Sequence, residues 1–507
     1  MIRHLHKVLF LLLGLGCATI SHAQQSVPYT TENPVAGDPL TEQLVRKFET
    51  ATLGKNCTLA ISVLDAETGV PYVQINADKT MKPASLIKII TAAATLDVLG
   101  ADHQFTTTVE GPAPDKKGVV QGDLIIRGGG DPSLGPRFQS NSNEVMGLLN
   151  EWAAKLAKRG VKRIAGNVIG NDMRYPDNPV AIGWEPTELA QWYSAEVSAL
   201  CFNENTTDIK WQADKKTGEA ATFTLDPTVK YLRVQGTIRS GPESQIKPRI
   251  RYYRFADSND VRARGTMPPG TAKYDFISVH DPALYTAELF TAALRARKIA
   301  VDKGGVSQRV IGEEEPTTDT VTLITQQSPP ISEMLPILLG VSHNLYGEVF
   351  MREVALASNQ PATFDGGFQA LGNWLRSKRL YRNLTLADGS GLSTVDRASA
   401  TQFVDVLRYE YTSPNKKLFF DSLATPGKQA LKNRFEGEDF APLRDTLSAK
   451  TGFITGVHSL AGRFRNHKDS DYVFAIMVND YDADRTVAAR DYVDQAILAL
   501  QTSNVLP

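Results

Sequence analysis

Apolar and polar positions along this chain follow two periods, and the dominant one changes twice. Residues 40–51 place Leu44, Val45 and Phe48 at helical spacing, and 57–65 then alternates as a strand. A Glu67-Thr-Gly-Val turn leads into a second strand at 71–75. Residues 83–99 have helical composition but are apolar on nearly every face, which predicts a buried central helix. From about residue 100 to 323 short strands and turns dominate and strong helices are few, the stretch 282–298 being one. Within it, 208–269 reads as consecutive strands with polar loops. Helical periodicity returns at 331–339, 345–357, 367–380 and 398–411. Strands at 447–454, 458–466 and 472–479 and an amphipathic helix at 488–500 close the chain. Strand and helix at one end, and helices, strands and helix at the other, predict one α/β domain split by an insertion. Boundaries are expected at 38–99 and 323–507 for the split domain, with 100–207 and 271–322 inserted between them and 208–270 reading as a small all-β module. A chain of 507 residues is long enough for several such cores.

The first residues change the picture of where the protein works. Arg3, His4 and Lys7 precede an apolar run at 8–15, and Ser21-His22-Ala23 offers small residues at the positions a signal peptidase reads. Residues 1–23 therefore read as a signal peptide, and the protein is expected to be exported and periplasmic. A lipidated Cys17 is a rival reading, and Gly14-Leu15-Gly16 makes a poor lipobox for it. No later segment reaches the roughly 18 consecutive apolar residues of a spanning helix. A formal net charge of −1 supplies no global field toward nucleic acid or anionic lipid. HExxH, a Walker loop, a dinucleotide fingerprint and CxxC are all missing from the sequence, so neither metal nor cofactor is expected. Cys57 and Cys201 leave a disulfide open, two buried free thiols being the simpler state. The glycines of Gly128-Gly-Gly-Asp-Pro read as a structural turn rather than a phosphate cradle, because no helix start with Lys or Ser follows.

Three short motifs carry candidate chemistry. Ser85-Leu-Ile-Lys88 opens the central helix, so hydroxyl and amine share one face and Ser85 meets the free N–H groups and dipole of the first turn. Lys88 lies among Ile87, Ile89, Ile90 and Ala92, where burial disfavours an ammonium. A neutral lysine can take the serine proton as histidine does in other hydrolases. Ser342-His343-Asn344 breaks two helices: Ser342 can relay a proton, Asn344 can bind an amide, and His343 is expected to point away. Lys450-Thr451-Gly452 sits in an alternating strand, where cation and hydroxyl suit a terminal carboxylate and the glycine admits a close backbone. Taken singly, each has a bland counterpart: a capping serine with a snorkelling lysine, an N-cap, a solvent-facing strand. In this order, on a helix start, an inter-helix loop and a strand, they reinforce one another.

The trio resembles that of the penicillin-recognising serine enzymes. The wide gap from Lys88 to Ser342 resembles that of the class C low-molecular-mass penicillin-binding proteins, the D-Ala-D-Ala carboxypeptidase/endopeptidase family. Gly128-Gly-Gly-Asp-Pro-Ser-Leu, Gly183-Trp-Glu, Tyr193-Ser-Ala-Glu-Val-Ser-Ala-Leu, Asn203-Glu-Asn, Leu345-Tyr-Gly-Glu and Asp388-Gly-Ser-Gly-Leu-Ser agree with it. The resemblance implies an α/β fold: a split transpeptidase/β-lactamase-like catalytic domain, an antiparallel sheet with helices, interrupted by two nested β-rich inserted domains. It implies that Ser85 is acylated with Lys88 as base, that Ser342 and Asn344 form the second element, and that Lys450 and Thr451 hold the substrate carboxylate beside Gly452. The oxyanion hole would be the N–H groups of Ser85 and Phe453, where many relatives carry Ser or Thr instead of the phenylalanine. An acidic residue that reads the stem-peptide amine in some members has Asp177 near its place. The partners implied are peptidoglycan peptides and β-lactam inhibitors. A β-lactamase on the same scaffold and an inert peptidoglycan-binding protein are the rival readings, and a homo-oligomer is left open.

Overall fold

Five antiparallel strands join the two ends of the chain. In spatial order they are Leu447–Ile454, Val457–Arg465, Asp471–Asn479, Thr58–Asp65 and Pro71–Ile75. The computed structural model describes residues 39–139, 144–242, 244–308 and 320–507, so the leader expected at 1–23, with Cys17, lies outside the described residues. Thr58–Asp65 pairs along its length with the C-terminal strand, Thr58 opposite Asn479 and Asp65 opposite Tyr472. The strand period of two then sorts side chains to two faces. Leu59, Ile61 and Val63 join Phe474, Ile476 and Val478 under the terminal helices Pro39–Thr50 and Thr486–Thr502. Ala60, Ala461 and Ala475 face the other way, and these small side chains let the helices Ile87–Val98 and Ala400–Thr412 pack closely.

Ile87–Val98 is the buried helix expected at 83–99, and every residue from Ile87 to Leu96 is buried. It begins later than its composition suggests: a 3₁₀ turn at Ala84–Leu86, entered through left-handed Ala84, comes first. Likewise the helix expected at 331–339 is α-helical only over Ile331–Pro336; a π turn, Ile337–Val341, follows the proline and delivers Ser342 in a left-handed conformation.

Between these halves the chain builds other cores. A five-stranded mixed sheet runs in the order Gly305–Gln308, Val168–Asn171, Leu124–Arg127, Thr106–Gly111 and Val321–Gln327, its first three strands parallel. Parallel neighbours need crossovers, and the helices Gly147–Lys158 and Pro282–Ala296 pack on this sheet. The first of these helices stands in a region where short strands and turns are expected, yet its Leu148, Leu149, Trp152 and Leu156 make a buried stripe at helical spacing. The turn at Gly128–Gly130 is structural: a Cβ on Gly129 would stand 1.9 Å from the Thr106 carbonyl oxygen. Two three-stranded sheets from residues 206–278 share a core of Ile209, Trp211, Ile238, Tyr252 and Val261, where Trp211 Nε1 donates to the Tyr252 hydroxyl at 2.9 Å. Cys57 is half-buried, Cys201 is buried, and both are free thiols.

Because the ladder between Thr58–Asp65 and Asp471–Asn479 spans eight residue pairs, limited proteolysis confined to residues 100–320 should leave the N- and C-terminal fragments co-eluting in native gel filtration. Separation of the fragments without denaturant would contradict a sheet built from both ends.

Candidate active site

Ala84 (φ 50°) stands immediately before Ser85, in a conformation that costs a β-carbon-bearing residue about 1 kcal/mol or more. The surroundings hold it there. Ser459 Oγ donates to the Pro83 carbonyl at 2.9 Å. A Cβ on Gly452 would fall 2.0 Å from Ser459 Oγ and 2.8 Å from the Pro83 oxygen, and one on Gly391 would fall 1.9 Å from the Ala84 oxygen. Glycine at both places lets the Leu447–Ile454 strand and the 388–393 loop close on the turn that presents Ser85, itself half-buried at the helix start.

One turn later Lys88 is completely buried, its Nζ 3.0 Å from Ser85 Oγ, 2.6 Å from Asn344 Oδ1 and 2.6 Å from the Ser390 carbonyl oxygen. Burial pushes this amine from its usual 10.5 down to about 7, against the opposing pull of Asp388, Glu348 and Asp396. A neutral amine has two N–H donors and one lone pair. Asn344 turns its oxygen to Lys88 because its Nδ2 donates to the Tyr193 carbonyl at 2.7 Å, and the Ser390 carbonyl is acceptor only. These two absorb both N–H groups, so the lone pair is left for the hydroxyl proton of Ser85.

The Ser390 carbonyl is held in turn. Asp388 accepts from the backbone N–H groups of Ser390 (3.1 Å), Gly391 (2.5 Å) and Ser393 (2.7 Å) and from Trp184 Nε1 (2.8 Å). Glu348 accepts from the Gly389 N–H at 3.1 Å, and burial beside Asp388 pushes its carboxyl up to about 8. Asp396 accepts from the Ala387 N–H at 2.6 Å, and burial together with Asp388 holds it well above the carboxylate range. Trp184, Glu348 and Asp388 come from Gly183-Trp-Glu, Leu345-Tyr-Gly-Glu and Asp388-Gly-Ser-Gly-Leu-Ser, points of resemblance to which the sequence alone assigns no role. An aspartate heading a glycine-rich turn was the available signal, since such a side chain caps its own following amides.

Ser342, left-handed at φ 70°, accepts from Lys450 Nζ at 2.7 Å, and the same amine donates to the Thr451 carbonyl at 2.6 Å. Lys450 is fully buried, and burial with the repulsion of Lys88 holds its ammonium well below the usual range. Its strand is the edge strand of the sheet, paired along its length with Val457–Arg465 and bridged on its outer side at Ala449 by Ala424. Thr451 is half-buried and Gly452 lies against Pro83. The Phe453 side chain is 57% exposed over the ring of His458, centroids 4.8 Å apart. His343 points away from Ser85, as expected: its Nε2 lies 2.9 Å from Glu204 Oε2, which Arg137 also binds. Asp177 is engaged by Arg352 (3.3 Å) and by the Phe364 N–H (2.7 Å). A hydroxyl, an amine of lowered pKa behind it, a second hydroxyl on a buried lysine and a strand at the sheet edge are together equipped for acyl transfer through a serine ester.

Residues 40–500 match the model of the D-Ala-D-Ala carboxypeptidase 3 (S13) family. The chain is 27% identical over 448 residues to a D-alanyl-D-alanine carboxypeptidase of Actinomadura sp. (strain R39), covering 85% of this chain and 80% of that protein. It is 24% identical over 409 residues to D-alanyl-D-alanine carboxypeptidase DacB of Haemophilus influenzae, covering 80% and 82%. The crystal structure of penicillin binding protein 4 (dacB) from Haemophilus influenzae superposes with a TM-score of 0.76 at 21% identity, covering 91% of this chain and 99% of that one.

If neutral Lys88 accepts the proton, acylation by a β-lactam should fall as pH drops through about 7, where the amine becomes charged. Stopped-flow acylation rates between about pH 5 and 9 measure this; a flat profile would exclude Lys88 as the titrating base.

Proposed function

Because the chain belongs to the D-Ala-D-Ala carboxypeptidase 3 (S13) family, we propose that Ser85 attacks the carbonyl of the penultimate D-Ala in peptidoglycan stem peptides and cross-links. The protein is a serine-type D-alanyl-D-alanine carboxypeptidase/endopeptidase that binds penicillin. In the proposed cycle the Ser85 hydroxyl proton passes to Lys88 Nζ as Oγ bonds to the carbonyl carbon. The N–H groups of Ser85 and Phe453 receive the negative charge that develops on the carbonyl oxygen. The proton travels by way of Ser342 to the departing nitrogen, and D-Ala or the cross-linking amine leaves. Water, giving its proton back along the same route, hydrolyses the ester and restores Ser85. Lys450 and Thr451 hold the terminal carboxylate, Asn344 meets a substrate amide, and Gly452 lets the peptide lie along the strand edge as an added strand. The cycle uses no metal or cofactor.

The observation that carries this reading is the threefold contact of Lys88: two acceptors that take its N–H groups and the serine oxygen at 3.0 Å. Localisation follows from the substrate and from the leader read at 1–23, which directs the protein to the periplasm. Among the described residues no helix is long and apolar enough to cross a membrane. Residues 100–207 with 271–322 form the outer inserted domain and 208–270 the inner one. The outer domain supports the site through Trp184 and the Tyr193 carbonyl, which reach Asp388 and Asn344.

A fluorescent penicillin should label the protein at Ser85, because the strained lactam amide presents the same carbonyl to the same nucleophile; peptide mass mapping locates the adduct. An adduct on another residue, or undiminished labelling of folded Ser85→Ala, would refute the assignment.

Replacing Lys450 by alanine should lower kcat/KM by about 10- to 150-fold for a substrate ending in free D-Ala, the cost of a charge-assisted hydrogen bond in a partly desolvated cleft. The C-terminal amide of the same substrate should lose less. Equal losses for acid and amide would leave Lys450 as a support for Ser342 alone.

A further inference from the structure

The inner β module turns one strongly charged face outward. Its sheet runs in the order Arg233–Ser240, Asp260–Met267, Arg249–Tyr253, and Ile238, Val261, Ala263 and Tyr252 point into the module's core. Alternation then sends Arg233, Arg239, Arg249, Arg251, Arg262 and Arg264 to the opposite face, where all six are exposed. Arg251 stands directly opposite Arg264 in the antiparallel pair, a like-charge placement that destabilises a sheet unless something neutralises it. Asp260 does not do so, because Arg233 holds it at 2.6 and 3.0 Å. Among the described residues no carboxylate forms an ion pair with Arg249, Arg251 or Arg264. With a formal net charge of −1 for the whole chain, this is a local concentration of charge and not general basicity.

The face is also concave. A depression of about 520 Å³ is lined by Arg249, Arg251 and Arg264, and Tyr253 and Arg264 also line a larger one of about 1210 Å³. In the larger, Ile182 and Phe255 are 80% and 78% exposed, Asp257 also lines it, and buried Glu196 is paired with Arg254 at 3.0 Å. Its far wall is the 178–189 segment, which is bonded to the catalytic loop: Trp184 donates to Asp388, and the carbonyls of Ile182 and Gly183 accept from the Ser393 and Thr394 hydroxyls. The groove is therefore continuous with the wall that supports Lys88.

Guanidinium forks match carboxylates in two-point geometry, and apolar walls beside them suit short aliphatic side chains. A polymer cleaved at Ser85 brings such groups repeatedly, since stem peptides carry free carboxylates and methyl side chains along the strand. We propose that the arginine face and its groove form a second, non-catalytic site that grips carboxylate-bearing stem peptides of the same polymer while a neighbouring one occupies the cleft. This rests on the function proposed above.

The test uses the full chain carrying Ser85→Ala, so that the polymer is not digested, with and without Arg251→Glu/Arg264→Glu. Co-sedimentation with intact sacculi should weaken by about 10-fold or more in the double variant and in added salt. Sacculi whose carboxyls have been amidated should bind the parent as weakly. With Ser85 restored, Arg251→Glu/Arg264→Glu should turn over a soluble D-Ala-D-Ala peptide at the parent rate, which also reports folding. Undiminished sedimentation of the double variant, or equal binding to amidated sacculi, overturns the proposal. Stronger binding to vesicles of anionic phospholipid, lost in the double variant, overturns it in favour of a lipid surface. Failure of the catalytic reading is seen separately, as absent peptide turnover by the parent chain.

Discussion

Lys88 is an amine placed where no ammonium is comfortable, and much of the surrounding structure follows from that placement. Lowering its pKa from 10.5 to about 7 corresponds to about 5 kcal/mol against the charged form. Such a group is held in the interior only if its hydrogen bonds are met, and Asn344 Oδ1 and the Ser390 carbonyl meet them at 2.6 Å each. Each acceptor needs its own fixture. Asn344 is oriented by the Tyr193 carbonyl, and Ser390 by the amides gathered on Asp388. The central helix is apolar all round because it must bury this amine, and the sheet face beneath it carries alanines because the helix must come close.

The intervening segment supports the candidate site in this sense. Tyr193 reaches Lys88 through Asn344, and Trp184 through Asp388 and then Ser390, while Glu204 and Arg137 anchor His343, the residue between Ser342 and Asn344. Ser342 is left-handed and Glu204 lies in a run of three left-handed residues, Asn203 to Asn205. Strained conformations of this kind persist where neighbouring structure over-determines them, and here each side of the cleft supplies the restraint for the other. Glu204 reflects the same coupling: burial opposes its charge, yet His343 and Arg137 hold its carboxyl well below the usual range.

Much of this was legible in the chain. Leu447–Ile454 coincides with the strand read from alternation, and the buried helix, the closing helix and the split of one sheet between the chain ends follow from periodicity alone. Boundaries slipped where backbone conformation overrode composition, at left-handed Ala84 and at the π turn after Pro336. The helix Gly147–Lys158 has a regular apolar stripe, but the short strands and turns around it dominate the pattern of the region.

Ser85, Lys88, Ser342, Asn344, Lys450 and Thr451 were readable as candidates because helix and strand periods place their side chains without knowledge of anything distant. The direction in which Lys88 shifts was readable too, from its apolar neighbours; the groups that oppose the shift were not. Burial lowers its pKa, and Asp388, Glu348 and Asp396, more than 250 positions away in the chain, pull the other way through an interior that exists only once the fold has closed. The arginine face has the same origin. Seven arginines spread from 233 to 264 look like ordinary surface charge in the sequence, and only strand register gathers six of them on one side of a sheet and sets Arg251 against Arg264. Local chemistry follows from residue type and period, whereas protonation state and charge density are sums over neighbours, and tertiary structure alone decides who those neighbours are.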